Sequence, residues 1–178
     1  MDGPSDHDLM ARAALGDERA FRTLVARHTS PALGLARRIL RNDARAEEIV
    51  QDAMLRVWIN APRWRPEAAF RTWLYRVVVN LCLNEKRRPA VLPLEHASEP
   101  ADPAPDAGAM LEARQRDRKL AAAIDALPAR QRAAIVLTYQ EGLANAEAAA
   151  VLDISVSSLE ALLVRAKRTL RAAFDDDR

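Results

Sequence analysis

Apolar residues recur along this chain at the three- and four-residue spacing of helices. From Asp8, the residues Leu9, Met10, Ala13 and Ala14 share one face before Gly16-Asp17 breaks the pattern. A second helix is expected from about residue 18, with Phe21, Leu24 and Val25 together. Pro31 suits the first turn of a third helix carrying Leu33, Leu35, Ile39 and Leu40. Asn42-Asp43 ends it and caps a fourth helix over about 44–60, which packs Ile49, Val50, Ala53, Leu55, Val57 and Trp58. Glu47 and Glu48 fall in its first turn, where acids suit the helix dipole. The stretch 62–66 is a proline-bounded loop holding Trp64, and a fifth helix covers about 68–87 and stops before Pro89. Residues 1–7 read as a frayed end.

Pro89, Pro93, Pro100, Pro103 and Pro105 then leave little room for a helix, so the following stretch reads as an extended linker. Helices resume over about 109–126, and Pro128 starts another that carries Ile135, Val136 and Leu137. Next comes a short helix from Asn145 to Leu152, a tight break at Asp153-Ile154-Ser155, and a second helix. In that helix Leu159, Leu162 and Leu163 face inward, while Arg165, Lys167, Arg168 and Arg171 face out. This is the pattern of a helix-turn-helix with a basic second helix, which fits a DNA major groove. The fold class is therefore all-α, in two helical domains over 8–89 and 109–174, joined by a linker over 90–108.

Composition narrows the classes. The chain has 178 residues, enough for one or two small domains. Scarce Gly with abundant Ala, Leu and Arg favours helices. No apolar run approaches a membrane span, and the acidic N-terminus is unlike a secretion signal, so no membrane insertion is expected. The single cysteine, Cys82, cannot form an internal disulfide, and a cytoplasmic setting is expected. Three histidines, His7, His28 and His96, are scattered without a metal spacing. No metal, cofactor or small-molecule substrate is expected, and no residue is assigned as catalytic. Net charge is only +2, but it is segregated. Glu95, Glu99, Asp102 and Asp106 lie in a linker stretch without Lys or Arg, whereas 63–89 holds Arg63, Arg65, Arg71, Arg76, Lys86, Arg87 and Arg88. Clustered cations suit a polyanion.

Trp58, Trp64, Phe70, Trp73 and Tyr75 lie among those arginines. Phe70, Trp73 and Tyr75 cannot all share a helix face with Leu74 and Val78, so some rings are expected near the surface. Rings beside cations suit unstacked bases, at about 1–3 kcal/mol per stacked base. Core packing is the competing assignment, above all for Trp58 and Phe70. The run 44–89 resembles the core of the extracytoplasmic-function (ECF) sigma factors, with FRTWLYRVVVN as its most specific stretch. LPARQRAAIVLTYQEGL, followed by the helix-turn-helix, resembles their C-terminal domain.

That resemblance implies a non-enzymatic subunit that gives core RNA polymerase its promoter specificity, built from sigma regions two and four. It implies docking of the 44–60 helix on the polymerase β′ clamp helices through Glu48, Gln51, Asp52 and Leu55, with the β flap as a further polymerase contact. It implies −10 recognition by the 62–88 segment. Trp64 and Asn80 are the base-side candidates there, Arg71, Arg76 and Arg87 the phosphate candidates, and Trp73 a further −10 candidate; Asn80 has a local cap or burial as its alternative. It implies −35 recognition by Ser157, Ser158, Glu160, Ala161 and Arg165, with Arg168 nearer phosphate. An anti-sigma factor and a stress response are further implications. Glu160 and Leu162 stand where many members carry a basic residue, and Asp153 where the turn often has Gly. Two rivals remain open: a stand-alone helix-turn-helix regulator, which would need a dimer to read two half-sites, and a helical protein-interaction adaptor.

Overall fold

The computed structural model describes residues 3–85 and 107–175. Every regular element among them is helical. In order they are α1 (Asp6–Ala14), α2 (Glu18–Leu40), α3 (Asp43–Asn60), a 3-10 turn (Ala61–Arg63), α4 (Phe70–Glu85), α5 (Ala107–Ala126), α6 (Ala129–Ile135), a π-helical turn (Val136–Gln140), α7 (Asn145–Leu152) and α8 (Val156–Asp175). Arg87 and the linker carboxylates Glu95, Glu99, Asp102 and Asp106 lie outside the described residues. The second half is already helical at Ala107, two residues before the expected start.

The expected frayed end is instead tied down. The Ser5 hydroxyl accepts from the Asp8 N–H at 3.1 Å while Asp8 accepts from the Ser5 N–H at 3.3 Å, a reciprocal cap on α1. Arg27 donates to the Pro4 carbonyl at 2.8 Å, and Asp6 meets Arg27 at 3.0 Å and His28 at 2.7 Å. Asp17 then caps α2 by accepting from the Ala20 and Arg19 N–H groups. The Ala20 N–H, with Arg12 beside it, holds the Asp17 carboxyl below its ordinary pKa.

The expected second and third helices are one. α2 runs unbroken through Pro31. An interior proline forfeits a hydrogen bond at about 3 kcal/mol. Here Ala20 and Leu24 before it, and Ala32, Leu35, Ala36 and Ile39 after it, all bury on one continuous core face. Packing along that face offsets the lost bond. α3 begins at Asp43, capped by Asn42, so Glu47 and Glu48 lie beyond the first turn and pair with Arg37 and Arg45. Leu55 does not join the core: it is 56% exposed, and Met54 takes the buried place. The buried set Ala46, Val50, Ala53, Met54 and Val57 fixes the inward stripe, and Leu55 lies about 100° off Met54.

Leu9, Met10, Leu24, Leu35, Ile39, Leu74 and Val78 fill the first bundle, and Val136, Leu137 and Leu159 the second. Full burial of each such side chain contributes about 1.5–3 kcal/mol. The buried residues of both halves form one contiguous apolar cluster, with α4 lying against α7. Polar bridges cross the same seam. Arg76 meets Asp153 at 2.6 Å, Arg41 approaches Asp125 at 2.8 Å, and Glu141 accepts from Arg38 and, at 3.1 Å, from the Tyr75 hydroxyl. Arg132 is the one buried charged residue among those described. Its guanidinium donates to the carbonyls of Ile124, Asp125 and Leu127, and across the seam to Ile39 at 3.0 Å. Burial pushes its pKa down.

Candidate nucleic-acid interface

The first candidate surface is a cleft of about 620 Å³ between the C-terminal end of α3, the 61–69 loop and α4. Trp64, Trp73, Arg76 and Asn80 line it together. Asn80 is exposed, which removes burial as its alternative. Trp64 is only half-exposed. Its ring meets Phe70 edge-on at 6.4 Å and His7 at 5.7 Å, and its indole N–H is buried with no acceptor among the described residues. Phe70 and Tyr75 are core residues. Arg71 does not line the cleft; its guanidinium lies over the Tyr75 ring at 5.2 Å. Tyr75 is held neutral, its pKa pushed up to about 12 by burial and then by the neighbouring Glu141 carboxylate.

The cleft also holds Thr72, Asn84, Arg56 and Asn60, none of them a sequence candidate. Thr72 and Asn84 continue the four-residue spacing of Arg76 and Asn80 along α4, and Arg56 and Asn60 share that spacing on α3. That four-residue spacing puts each set on one helix face. It was readable in the sequence, but only once the helix limits were fixed. The result is a walled, polar and cationic slot with two half-buried indoles. Such a slot can receive a flat polar ring and hold a phosphate at its rim.

The second surface lies between α2 and α3. Phe21, Val25, Val50, Gln51, Leu55 and Trp58 line an apolar groove of about 600 Å³. Phe21 and Trp58 stack as a tilted pair at 5.0 Å. Leu55 and Ile59 stand exposed beside it, a docking signature for a partner helix. Glu48 pairs with Arg45 at 2.6 Å and Asp52 with Arg56 at 3.1 Å, giving the groove a charged border. Phe21 and Val25 share a helix face with Leu24 in the sequence, which reads as core and does not distinguish a half-open wall from a buried one.

The third surface is the outer face of α8. Asp153 ends α7 in the left-handed conformation, φ 55°, as its tolerance of that region allows. The Ser155 hydroxyl accepts from the Ser158 N–H at 3.2 Å at the start of α8. Leu159, Leu163 and Ala166 anchor the helix from below. Ser157, Ser158, Glu160, Ala161, Arg165 and Arg168 are all exposed on it. Arg165 folds back to its own helix, Nε donating to the Ala161 carbonyl at 3.2 Å. Among the described residues no group of His, Cys, Asp or Glu is arranged to hold a metal, and no helix is long and apolar enough to cross a membrane.

These surfaces coincide with known families. Residues 24–90 match Sigma-70 region 2, and residues 117–170 match Sigma-70, region 4. The ECF RNA polymerase sigma factor SigM of Mycobacterium tuberculosis is 34% identical over 166 residues, covering 93% of this chain and 83% of that protein. The RNA polymerase sigma factor CnrH of Cupriavidus metallidurans is 33% identical over 186 residues, covering 98% of this chain and 97% of its own. The solved structure of CnrH in complex with the cytosolic domain of CnrY superposes with a TM-score of 0.71 at 30% identity, over 98% of this chain and 100% of that one. The sigma factor RpoE of Bartonella quintana, solved with the anti-sigma factor NepR, shares the fold at a TM-score of 0.65 and 20% identity, over 89% of this chain and 98% of that one. With both sigma regions matched in order, and relatives aligned from end to end, the chain belongs to the ECF RNA polymerase sigma factors.

Proposed function

We propose that the chain acts as an initiation factor without chemistry of its own. It would bind core RNA polymerase through the α2–α3 groove, capture single-stranded −10 bases in the α3–α4 cleft, and read duplex −35 DNA with α8. The observation that carries this reading is the cleft: two half-buried indoles, Asn80, Asn84 and Arg76 converge on a slot of base-pair scale. Flipping a base costs a few kcal/mol. Stacking on Trp64 or Trp73, with hydrogen bonds to the Asn80 and Asn84 amides, supplies compensation of that size. Arg76 is the phosphate residue; Arg71, held over Tyr75, is a weaker candidate.

The apolar groove suits the β′ clamp helices, with Leu55 and Gln51 at its centre and Glu48 and Asp52 at its charged border. On α8, Ser157, Ser158, Ala161 and Arg165 recur on one face and would meet base edges; Arg168 would meet phosphate, and Glu160 would accept from a cytosine amine. The second domain would also contact the polymerase β flap. An anti-sigma factor is the expected regulator. The support is that CnrH, a relative whose structure covers 98% of this chain, was solved in complex with the cytosolic domain of CnrY.

Run-off transcription with core polymerase on a library of randomised promoters tests the reading. Initiation enriched for one motif near −10 and one near −35 is the expected result. Asn80→Ala and Trp73→Ala should relax the first motif alone, and Ser158→Ala the second alone. Absence of initiation above core polymerase would sink it. Tight binding of a palindrome without polymerase would favour a stand-alone regulator.

A further inference from the structure

Both indoles of the α3–α4 cleft pack on one shared ring. Phe70 is buried, and its centroid lies 6.4 Å from that of Trp64 and 5.9 Å from that of Trp73. A third partner of Phe70 does not line the cleft at all. His28, on α2, meets it edge-on at 4.9 Å. The His28 side chain is 13% exposed, and its Nε2 lies 2.7 Å from an Asp6 carboxylate oxygen. The other Asp6 oxygen accepts from Arg27 at 3.0 Å, and Arg27 also donates to the Pro4 carbonyl at 2.8 Å. His7, the next residue of the same turn, sets its ring 5.7 Å from Trp64. The start of α1 thus reaches the cleft by two routes, through His28 and Phe70 and through His7.

The indoles need such support. A buried indole N–H usually finds a partner, but that of Trp64 meets no acceptor among the described residues. No hydrogen bond fixes the ring, so its tilt is set by the rings packed against it. Phe70 carries no polar atom on its side chain either. Of the rings around Phe70, the imidazole of His28 is the one tied to a charged anchor, Asp6. Small displacements matter here, because a gap of about 0.5–1 Å forfeits a quarter to a half of a dispersion contact. A base stacked on a displaced indole would lose attraction of that order.

We propose that Asp6 and His28 are positioning residues of base capture: the anchored imidazole braces Phe70, and Phe70 holds both indoles at the tilt on which a captured base stacks. The proposal rests on reading the α3–α4 cleft as the −10 site. Neither residue touches the strand; each acts through Phe70. Discrimination among −10 bases therefore depends on the first turn of α1, although that turn contributes no wall of the cleft.

The test uses the full chain with core polymerase in run-off transcription. The readout is the ratio of initiation on the selected promoter to initiation on the same promoter with one −10 base changed. The corresponding ratio for one −35 base is the control. A variant that merely unfolds more easily lowers initiation on every template alike and leaves both ratios in place. His28→Ala is expected to lower the −10 ratio about fivefold, to leave the −35 ratio unchanged, and to alter the tryptophan bands of the near-ultraviolet circular dichroism. His28→Phe keeps a ring against Phe70 and should recover most of the −10 ratio. Asp6→Ala, at a partly exposed position, frees the imidazole and should lower the −10 ratio about threefold. Parental −10 ratios in His28→Ala and Asp6→Ala overturn the proposal. So do equal falls in the −10 and −35 ratios, or a His28→Phe chain no better than His28→Ala. Trp73→Ala separates this proposal from the reading beneath it. If Trp73→Ala lowers the −10 ratio and His28→Ala does not, the positioning role fails and the cleft stands. If the parent chain shows no −10 discrimination, both fall.

Discussion

Replacing Arg132 with methionine is expected to destabilise the protein by about 2 kcal/mol, because it strands carbonyls that the guanidinium satisfies. α5 ends at Ala126, so the Asp125 carbonyl belongs to a last turn short of N–H partners, while the Ile124 carbonyl also accepts from the Leu127 N–H at 3.2 Å. Arg132 supplies donors to both, and to Leu127 just beyond. Its remaining terminal nitrogen reaches Ile39, in the last turn of α2. Two helix C-termini, each carrying partial negative charge, thus converge on one buried cation. Methionine keeps the volume and removes every donor. An unsatisfied buried acceptor costs about 1–3 kcal/mol. The carbonyls of Asp125, Leu127 and Ile39 at the low end give about 3 kcal/mol, and relief of the buried charge returns about 1 kcal/mol. Urea unfolding followed by circular dichroism gives the difference directly. A melting point lower by about 4–8 °C is the calorimetric equivalent for a chain of this size. Arg132→Lys should recover part of the loss, since an ammonium reaches some of the same carbonyls but lacks the planar fork. A methionine variant within 1 kcal/mol of the parent would refute the account, and with it the claim that this guanidinium closes the ends of α5 and α2.

Three further outcomes follow from the same structure. Tyr75, with a pKa of about 12 against an ordinary 10.0, keeps its proton more tightly folded than unfolded. Its contribution to stability is therefore complete below pH 10 and lost as pH rises toward 12; absorbance titration at 295 nm should show one tyrosine ionising late, and Tyr75→Phe should abolish the stability loss in that window. Leu74→Ala, at a fully buried site between α2 and α3, is expected to cost about 3 kcal/mol in chemical denaturation; a loss under 1 kcal/mol would mean the site is not packed as described. Asn42→Ala removes the side-chain acceptor that holds the Arg45 N–H at 3.0 Å, and about 1 kcal/mol of stability with it, whereas Asn42→Asp should keep it.

Much of the helical content could be read in the chain because local signals agreed. Asn42 caps where a short polar side chain should, and Asp153 takes the left-handed turn that its side chain tolerates. On α8, Leu159 and Leu163 are buried and Leu162 partly so, while Arg165, Lys167, Arg168 and Arg171 are exposed. The errors share a cause. Pro31 looked like a boundary because its local cost is real, and only the continuous core face on both sides of it outweighs that cost. Leu55 looked like core because it is apolar, while its neighbour Met54 lay on the inward stripe. The N-terminus looked frayed because the partners of Pro4 and Asp6, Arg27 and His28, are distant in sequence.

The sequence by itself determined most of the helices and the turn of the helix-turn-helix, which follow from spacing, capping and side-chain type acting within a few residues; the family came from the resemblance of whole stretches such as FRTWLYRVVVN. Only the tertiary structure decided that Arg71 lies over Tyr75 instead of in the cleft, that Arg132 ties α5 to α2, and that Asp153 meets Arg76. These contacts join residues far apart in the chain, and no local propensity encodes which distant charge a given arginine will find. They arise when apolar faces of both halves bury together and carry their polar neighbours into reach.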